Sequence, residues 1–249
     1  MSGLVNRPGL QRMAPSGERF PIDVVFVVDG TESMSVFVDS VKQRIGQLDA
    51  DIAYRLRGAN RVLDSMRVRL IVFRDLFEDS SSAFEMTKFL ELPTQSDELI
   101  KAIAGIEAFG GGDPSESGLE ALFLAMRSPW RSEPQDIKRR HIIMLFTDQD
   151  AHDFGAAIPE SLAQLPHPRT MTELKKLWGP RTQGGLMNVR ARRMILFAPE
   201  LIETEGSKVS THWAQIAEEW EQVAMTPLPE GGIDDLTWQA VIDAIISTI

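Results

Sequence analysis

The sequence predicts an α/β protein: a doubly wound, mostly parallel sheet with helices on both faces. Three observations carry that prediction. Runs that are apolar on successive residues recur at 22–28 (IDVVFVV), 67–73 (RVRLIVF), 141–147 (HIIMLFT) and 193–197 (RMILF), the pattern of strands buried on both faces. Between these runs the apolar residues take helical spacing, and strands alternating with helices imply right-handed crossovers. The 249 residues are 43% hydrophobic and 25% charged, an ordinary globular balance that excludes collagen-like and wholly disordered chains.

Residues 1–20 contain Pro8, Pro15 and three Gly without the apolar core of an export signal. They are expected to form a flexible tail ahead of one domain spanning 21–249. After the first strand, Val41, Ile45, Leu48 and Ile52 recur at helical spacing, with Gly58 to end the helix. The second strand follows, then a shorter third at 84–90 and a helix at 96–105. Gly110-Gly111-Gly112 reads as a loop, and Asp113-Pro114-Ser115-Glu116 as the opening of a helix: Asp as cap, Pro in the first turn, Glu three residues on. Leu119, Leu122, Phe123 and Met126 form its apolar face.

The fourth and fifth strands, 141–147 and 193–197, are separated by more chain than a crossover needs. This insertion, about 149–190, carries Pro159, Pro166, Pro168 and Pro180. Its helix at 170–178 has a Thr170-x-x-Glu173 capping box and a Gly179-Pro180 stop. It reads either as a specificity element at the ligand-binding end of the sheet or as a surface loop tolerant of length. Helices near 211–221 and 234–247 close the chain, with a weak strand at 222–226 between them. Trp130, Trp178, Trp213, Trp220 and Trp238 are expected to pack in the interior.

Lys and Arg number 26 against 36 Asp and Glu, a net charge of −10, which argues against nucleic-acid and anionic-membrane partners. With no Cys, disulfides, thiol catalysis and Cys-ligated metals are excluded. The most apolar runs are far too short to span a bilayer, and a soluble cytoplasmic protein is expected.

The polar residues that invite chemistry stand at two strand ends. Asp29-Gly30-Thr31-Glu32-Ser33 follows the first strand and Thr147-Asp148-Gln149-Asp150 the fourth. If the strand order reverses between those strands, Asp29 and Asp148 flank the crevice at the switch point. Two carboxylates close together repel unless a cation or donors compensate. Carboxylates with the hydroxyls of Thr31 and Ser33, and neither Cys nor His, form a hard donor set suited to Mg²⁺ or Mn²⁺. Helix capping by Ser33 and Asp29 is the plainer alternative.

Asp29-x-Thr31-x-Ser33 with Asp148 resembles the metal-ion-dependent adhesion site of von Willebrand factor A domains, a doubly wound fold with its site at the C-terminal edge of the sheet. Phe73-Arg74-Asp75, Gly110-Gly111-Gly112-Asp113 with Glu116, and Asp148 with His152 are similar to the intracellular branch found beside α-kinases and in tellurite-resistance gene clusters. The resemblance implies that Thr31 and Ser33 bind the ion through their hydroxyls, and Asp29 and Asp148 directly or through water. A protein partner would supply an acidic side chain to the remaining position. Many family members place Thr in the middle loop, where this chain has Asp113 and Ser115. Asp113 is thus a ligand on one reading and a helix cap on the other.

The expected function is a divalent-metal-dependent protein-interaction module, not an enzyme, in a bacterial signalling or stress cassette, with a Ser/Thr kinase or phosphatase from the same gene cluster as partner. A metal-dependent phosphoesterase is the alternative. It is weakened by the absence of a second Asp in the first loop, a P-loop or a G-x-S-x-G elbow. Arg74 and Asp75 are expected to pair locally. The basic clusters Lys138-Arg139-Arg140 and Arg190-x-Arg192-Arg193 read as a solvated rim in preference to a docking surface.

Overall fold

The computed structural model describes residues 18–76, 82–110, 115–132, 138–154, 168–204, 206–226, 228–229 and 231–249. Strand β1 (Glu18–Asp29) runs through the middle of a parallel core. It is flanked by β2 (Arg61–Phe73) on one side and β6 (Arg140–Phe146) on the other, with β8 (Arg192–Phe197) and β11 (Val223–Thr226) beyond β6. The antiparallel strands β3 (Phe84–Met86) and β4 (Leu90–Leu92) both pair with β2. They replace the single third strand expected at 84–90. Thr87 lies between them and exchanges bonds with Leu70: its hydroxyl accepts from the Leu70 amide while its own amide donates to the Leu70 carbonyl.

Alternation along β1 shows why both faces must be covered. Val24, Phe26 and Val28 point into one apolar layer, Val25 and Val27 into the other. The first layer is closed by α1 (Ser35–Arg44), α2 (Leu48–Gly58), α3 (Ser96–Ala104) and α7 (Trp238–Ser247). The second is closed by α4 (Gly118–Met126), α5 (Met171–Trp178) and α6 (His212–Glu219). Val41, Ile45, Leu48 and Ile52 all face the core as their spacing requires. The helix that carries them is interrupted by a 3-10 turn at Ile45–Gln47.

Several boundaries differ from the sequence reading. β1 begins at Glu18, and Phe20 is buried, so residues 18–20 belong to the sheet and not to the expected tail; residues 1–17 lie outside the described residues. Of the expected helix start, Asp113 and Pro114 lie outside the described residues, and Ser115–Glu116 is not helical. Ser115–Glu116 instead forms a short strand, β5, paired in parallel with β7 (Asp150–Ala151), and α4 starts at Gly118. The local capping signal is overridden there by backbone pairing with a segment distant in sequence. In the insertion, the Thr170 side chain caps α5 by accepting from the Glu173 amide at 3.2 Å, as predicted. A hairpin of β9 (Leu201–Thr204) and β10 (Ser207–Ser210), which carries no strong apolar alternation, was not anticipated. No helix among the described residues is long and apolar enough to cross a membrane.

Candidate metal centre

The strand order places β1 between β2 and β6, so the chain reverses direction across the sheet beside β1. The loops after β1 and β6 leave the same C-terminal edge at that point, where open α/β sheets form their ligand crevice. Val28 pairs with Phe146 in parallel register, which puts Asp29 level with Thr147 one residue further on.

Four side chains of the sequence motif meet there. The Thr31 hydroxyl donates to Asp29 Oδ1 at 2.6 Å and the Thr31 amide to the same oxygen at 2.9 Å. Thr31 Oγ1 lies 3.3 Å from Ser33 Oγ, and Ser33 Oγ donates to Asp148 Oδ1 at 3.1 Å. A fifth participant, Thr147, has no role in the sequence reading: its hydroxyl donates to Asp29 Oδ2 at 2.7 Å. The signal was available, because a buried carboxylate needs donors for both oxygens and Thr147 is the hydroxyl residue at the end of the neighbouring strand. Ser33 makes no capping bond to the helix that follows, which removes the plainer account of that residue. Asp113 lies outside the described residues. Ser115 sits in β5, paired with Asp150.

Asp29 is fully buried, and burial pushes its carboxyl up to about 6 from 3.8, against the Thr31 and Thr147 hydrogen bonds and with help from the charge of Asp148. No cationic side chain among the described residues forms an ion pair with Asp29 or Asp148. Adjacent oxygen ligands of an octahedral ion with bonds of about 2.0–2.1 Å lie about 2.9 Å apart. The oxygen separations along Asp29, Thr31, Ser33 and Asp148 are 2.6, 3.3 and 3.1 Å. Donor type and spacing therefore suit a small hard cation. Among the described residues no group of three or more His, Asp or Glu is arranged to hold an ion, so an ion at this edge would have to draw on the hydroxyls.

The loop is held from behind by Arg74, which is fully buried. Its Nε donates to the Gly30 carbonyl at 3.2 Å, Nη2 to the Glu107 carbonyl at 2.7 Å, and Nη1 to the Ser82 carbonyl and Glu85 Oε1 at 3.0 and 2.9 Å. The guanidinium also lies 4.0 Å from the centroid of Phe109, whose amide donates to the Gly30 carbonyl at 3.0 Å. Arg74 thus joins the first loop to the segment that leads into Gly110–Asp113, a longer reach than the local pairing expected. Asp75 lies 3.3 Å from His152. Gly30 has to be glycine, since a Cβ there would come within 2.6 Å of Val72 Cγ1.

Asp150 is engaged elsewhere. Its carboxylate accepts from the His212 amide at 2.9 Å and contacts His212 Nδ1 at 3.1 Å, while Asp153 meets Nε2 at 2.9 Å. The Asp150 hydrogen bond, with those and the charges of both aspartates, raises the imidazole to about 9 against its burial.

The von Willebrand factor type A domain matches residues 23–168, more than half of the chain. The chain belongs to this family. Von Willebrand factor A domains commonly serve in protein–protein interaction. Among solved structures, the chain is similar to the pilus adhesin SpaC from Lactobacillus rhamnosus GG, at 14% identity and a TM-score of 0.49 over 91% of this chain and 30% of the adhesin. It is also similar to the von Willebrand factor domain of the type V pili tip protein Mfa5 from Porphyromonas gingivalis, at 17% identity and a TM-score of 0.35 over 55% of this chain and 42% of that one. This chain thus spans less than half of either. No curated protein matches the sequence significantly.

Proposed function

We propose that this von Willebrand factor A domain is a divalent-metal-dependent protein-interaction module without chemistry of its own. One observation carries the reading: a buried carboxylate and two hydroxyls of the β1 loop converge with Asp148 of the β6 loop, and the described residues provide no counter-charge. Thr31 and Ser33 would hold Mg²⁺ or Mn²⁺ through their hydroxyls, and Asp29 and Asp148 directly or through water; Asp113 and Ser115 are the middle-loop candidates. The bound ion would offer an open position to a carboxylate of the partner. Asp29 is dry, Thr147 and Thr31 orient it, and Arg74 fixes the loop, so the chain's own part is to hold oxygens in place.

The wider setting belongs to the same proposal: a cytoplasmic signalling or stress cassette of the intracellular branch, with a Ser/Thr kinase or phosphatase as partner. The motifs Phe73-Arg74-Asp75, Gly110–Asp113 and Asp148 with His152 support it. Calorimetric titration of Mg²⁺ and Mn²⁺ into the wild type and Asp29→Ala, with a pull-down of the candidate partner in each, tests the core of the reading. Ion binding and partner capture are both expected to vanish in Asp29→Ala. Capture that persists in that variant and in chelator would sink metal dependence. Turnover of phosphoesters by the wild type, lost in a folded Asp29→Ala, would establish the hydrolase instead.

A further inference from the structure

The end of the sheet opposite the carboxylates gathers arginine. β2 opens at Arg61, β6 at Arg140 with Arg139 just before it, and β8 at Arg192 and Arg193 with Arg190 just upstream. The acids nearby are already engaged. Asp23 holds Arg67 and Arg131 at 2.6 and 3.2 Å, Asp64 holds Arg19 at 3.0 Å, Glu18 holds Lys138, and Glu221 lies 3.4 Å from Arg192. Among the described residues no side-chain carboxylate forms an ion pair with Arg61, Arg139, Arg140, Arg190 or Arg193.

Arg140 donates to backbone carbonyls, Nη1 to Arg139 at 2.9 Å, Nη2 to Ile249 at 3.3 Å and Nε to Thr248, and Arg193 Nη1 donates to Arg192, yet these cations meet no side-chain carboxylate and crowd one another. The guanidinium carbons of Arg61 and Arg140 lie 5.8 and 5.7 Å from the centroid of the same Phe20 ring. Burial, and then the charges of Arg193 and Arg61, hold Arg140 below the ordinary arginine range. Behind them, two buried groups have no hydrogen-bond partner: Nη1 of Arg139, a residue 7% exposed, and both ring nitrogens of His141, which is 2% exposed. A buried polar group left unpaired costs about 1–3 kcal/mol, and each instance calls for an explanation. The sequence alone reads these arginines as a solvated rim.

We propose that this N-terminal edge is a second docking surface, for an acidic segment of a protein partner whose carboxylates pair with Arg61, Arg140 and Arg193. Charge complementarity selects the class, since cations without counter-ions are concentrated at one edge of a chain of net charge −10. A guanidinium fork donates two parallel N–H···O bonds to one carboxylate, which suits Arg to this task better than Lys. Nucleic acid fits less well. The aromatic rings here, Phe20 at 1% and Trp130 at 6% exposure, are covered instead of presenting faces on which bases stack. The surface lies at the opposite end of the sheet from Asp29 and does not depend on an ion there.

Fluorescence anisotropy of a labelled octaglutamate peptide at an ionic strength of about 0.15 M tests the proposal. The wild type is expected to bind, and Arg140→Gln/Arg193→Gln to bind at least about tenfold more weakly, roughly the loss of one charge-assisted bond. Arg140→Lys/Arg193→Lys should recover part of that loss, and Asp29→Ala or chelator should change nothing. Should the first pair fold poorly by circular dichroism, Arg190→Gln/Arg193→Gln, which starts from an exposed position, is expected to show the same weakening. Absence of peptide binding overturns the proposal, as does binding that the Gln pairs leave unaltered. Tighter binding of a single-stranded oligonucleotide of equal charge also overturns it. So does self-association of the wild type, lost in the Gln pair, without peptide binding.

Discussion

Two pairs of carboxylates emerge within a few residues of each other at the same edge of the sheet, and they are completed differently. Asp150 and Asp153 close on His212, which their hydrogen bonds raise to about 9 and so keep cationic at neutral pH. Asp29 and Asp148 receive hydroxyls from Thr31, Ser33 and Thr147 and no cation from the described residues, and burial raises Asp29 to about 6. The first pair is a finished strut that ties β7 to the start of α6. The second has no counter-charge among the described residues, the place the proposed function gives to an ion from solution. On the proposed function, one edge separates a fixed element from an exchangeable one: protonated imidazole at the closed pair, hard oxygens open to an ion at the other.

The largest expected effect comes from removing the open pair's charge. Asp29→Asn should weaken Mn²⁺ binding by at least about a hundredfold, roughly 3 kcal/mol, as read by calorimetry. The ion-free variant should nevertheless be at least as stable as the wild type at pH 7. Because the folded-state pKa of Asp29 is raised to about 6 from 3.8, its contribution to stability is complete below 3.8 and lost as pH rises through 6. Removing the buried charge therefore returns up to about 3 kcal/mol above that range. The same shift predicts that a proton competes with the ion: affinity should be flat above pH 6 and fall as pH drops through it. A pH-independent affinity would argue that Asp29 is not a ligand.

Arg74→Lys keeps the charge but loses the fork that holds Gly30, Ser82 and Glu107. It is expected to lower stability by about 2–4 kcal/mol in urea unfolding and to weaken ion binding as the β1 loop loosens. Unchanged ion affinity would confine Arg74 to folding.

The finished strut should respond in the opposite pH sense. His212 is raised to about 9 from 6.5, so its contribution is complete below 6.5 and lost as pH rises through 9. Asp153 is largely exposed, so the effect is discounted for screening. His212→Gln should lose about 1–2 kcal/mol at pH 6 and almost nothing at pH 10, with ion affinity intact. An equal loss at both pH values would mean that packing, not charge, is what His212 supplies.

The smallest change, Thr147→Val, deletes one donor to Asp29 Oδ2. It should move the pH midpoint of ion binding above 6 and cost about 1 kcal/mol of affinity. A midpoint left at 6 would show that Thr147 does not tune Asp29.

Much of this was legible in the chain itself because it depends on local order. Mostly apolar runs placed β1, β2, β6 and β8, since strands covered on both faces are rich in apolar residues along their length. Val223–Thr226, only a weak strand by sequence, is confirmed by its pairing with β8. Thr170 caps its helix as read, although Glu173 reaches back to the Arg169 amide and not to that of Thr170, and Asp29, Thr31, Ser33 and Asp148 met because strand-end motifs are carried to one edge by parallel topology. What local order could not decide was anything that rests on a distant partner. Ser115 and Glu116 carry a good helix start yet pair with Asp150 and Ala151. Thr147 acquires its role only because β6 lies in register beside β1. Arg74 reaches three separated segments, and His212 closes on aspartates about sixty residues away. Arg139 and His141 are ordinary residues in the sequence, and only the packed edge leaves their nitrogens dry. Propensity and periodicity are properties of neighbours along the chain, whereas burial, register and charge compensation are set by neighbours in space.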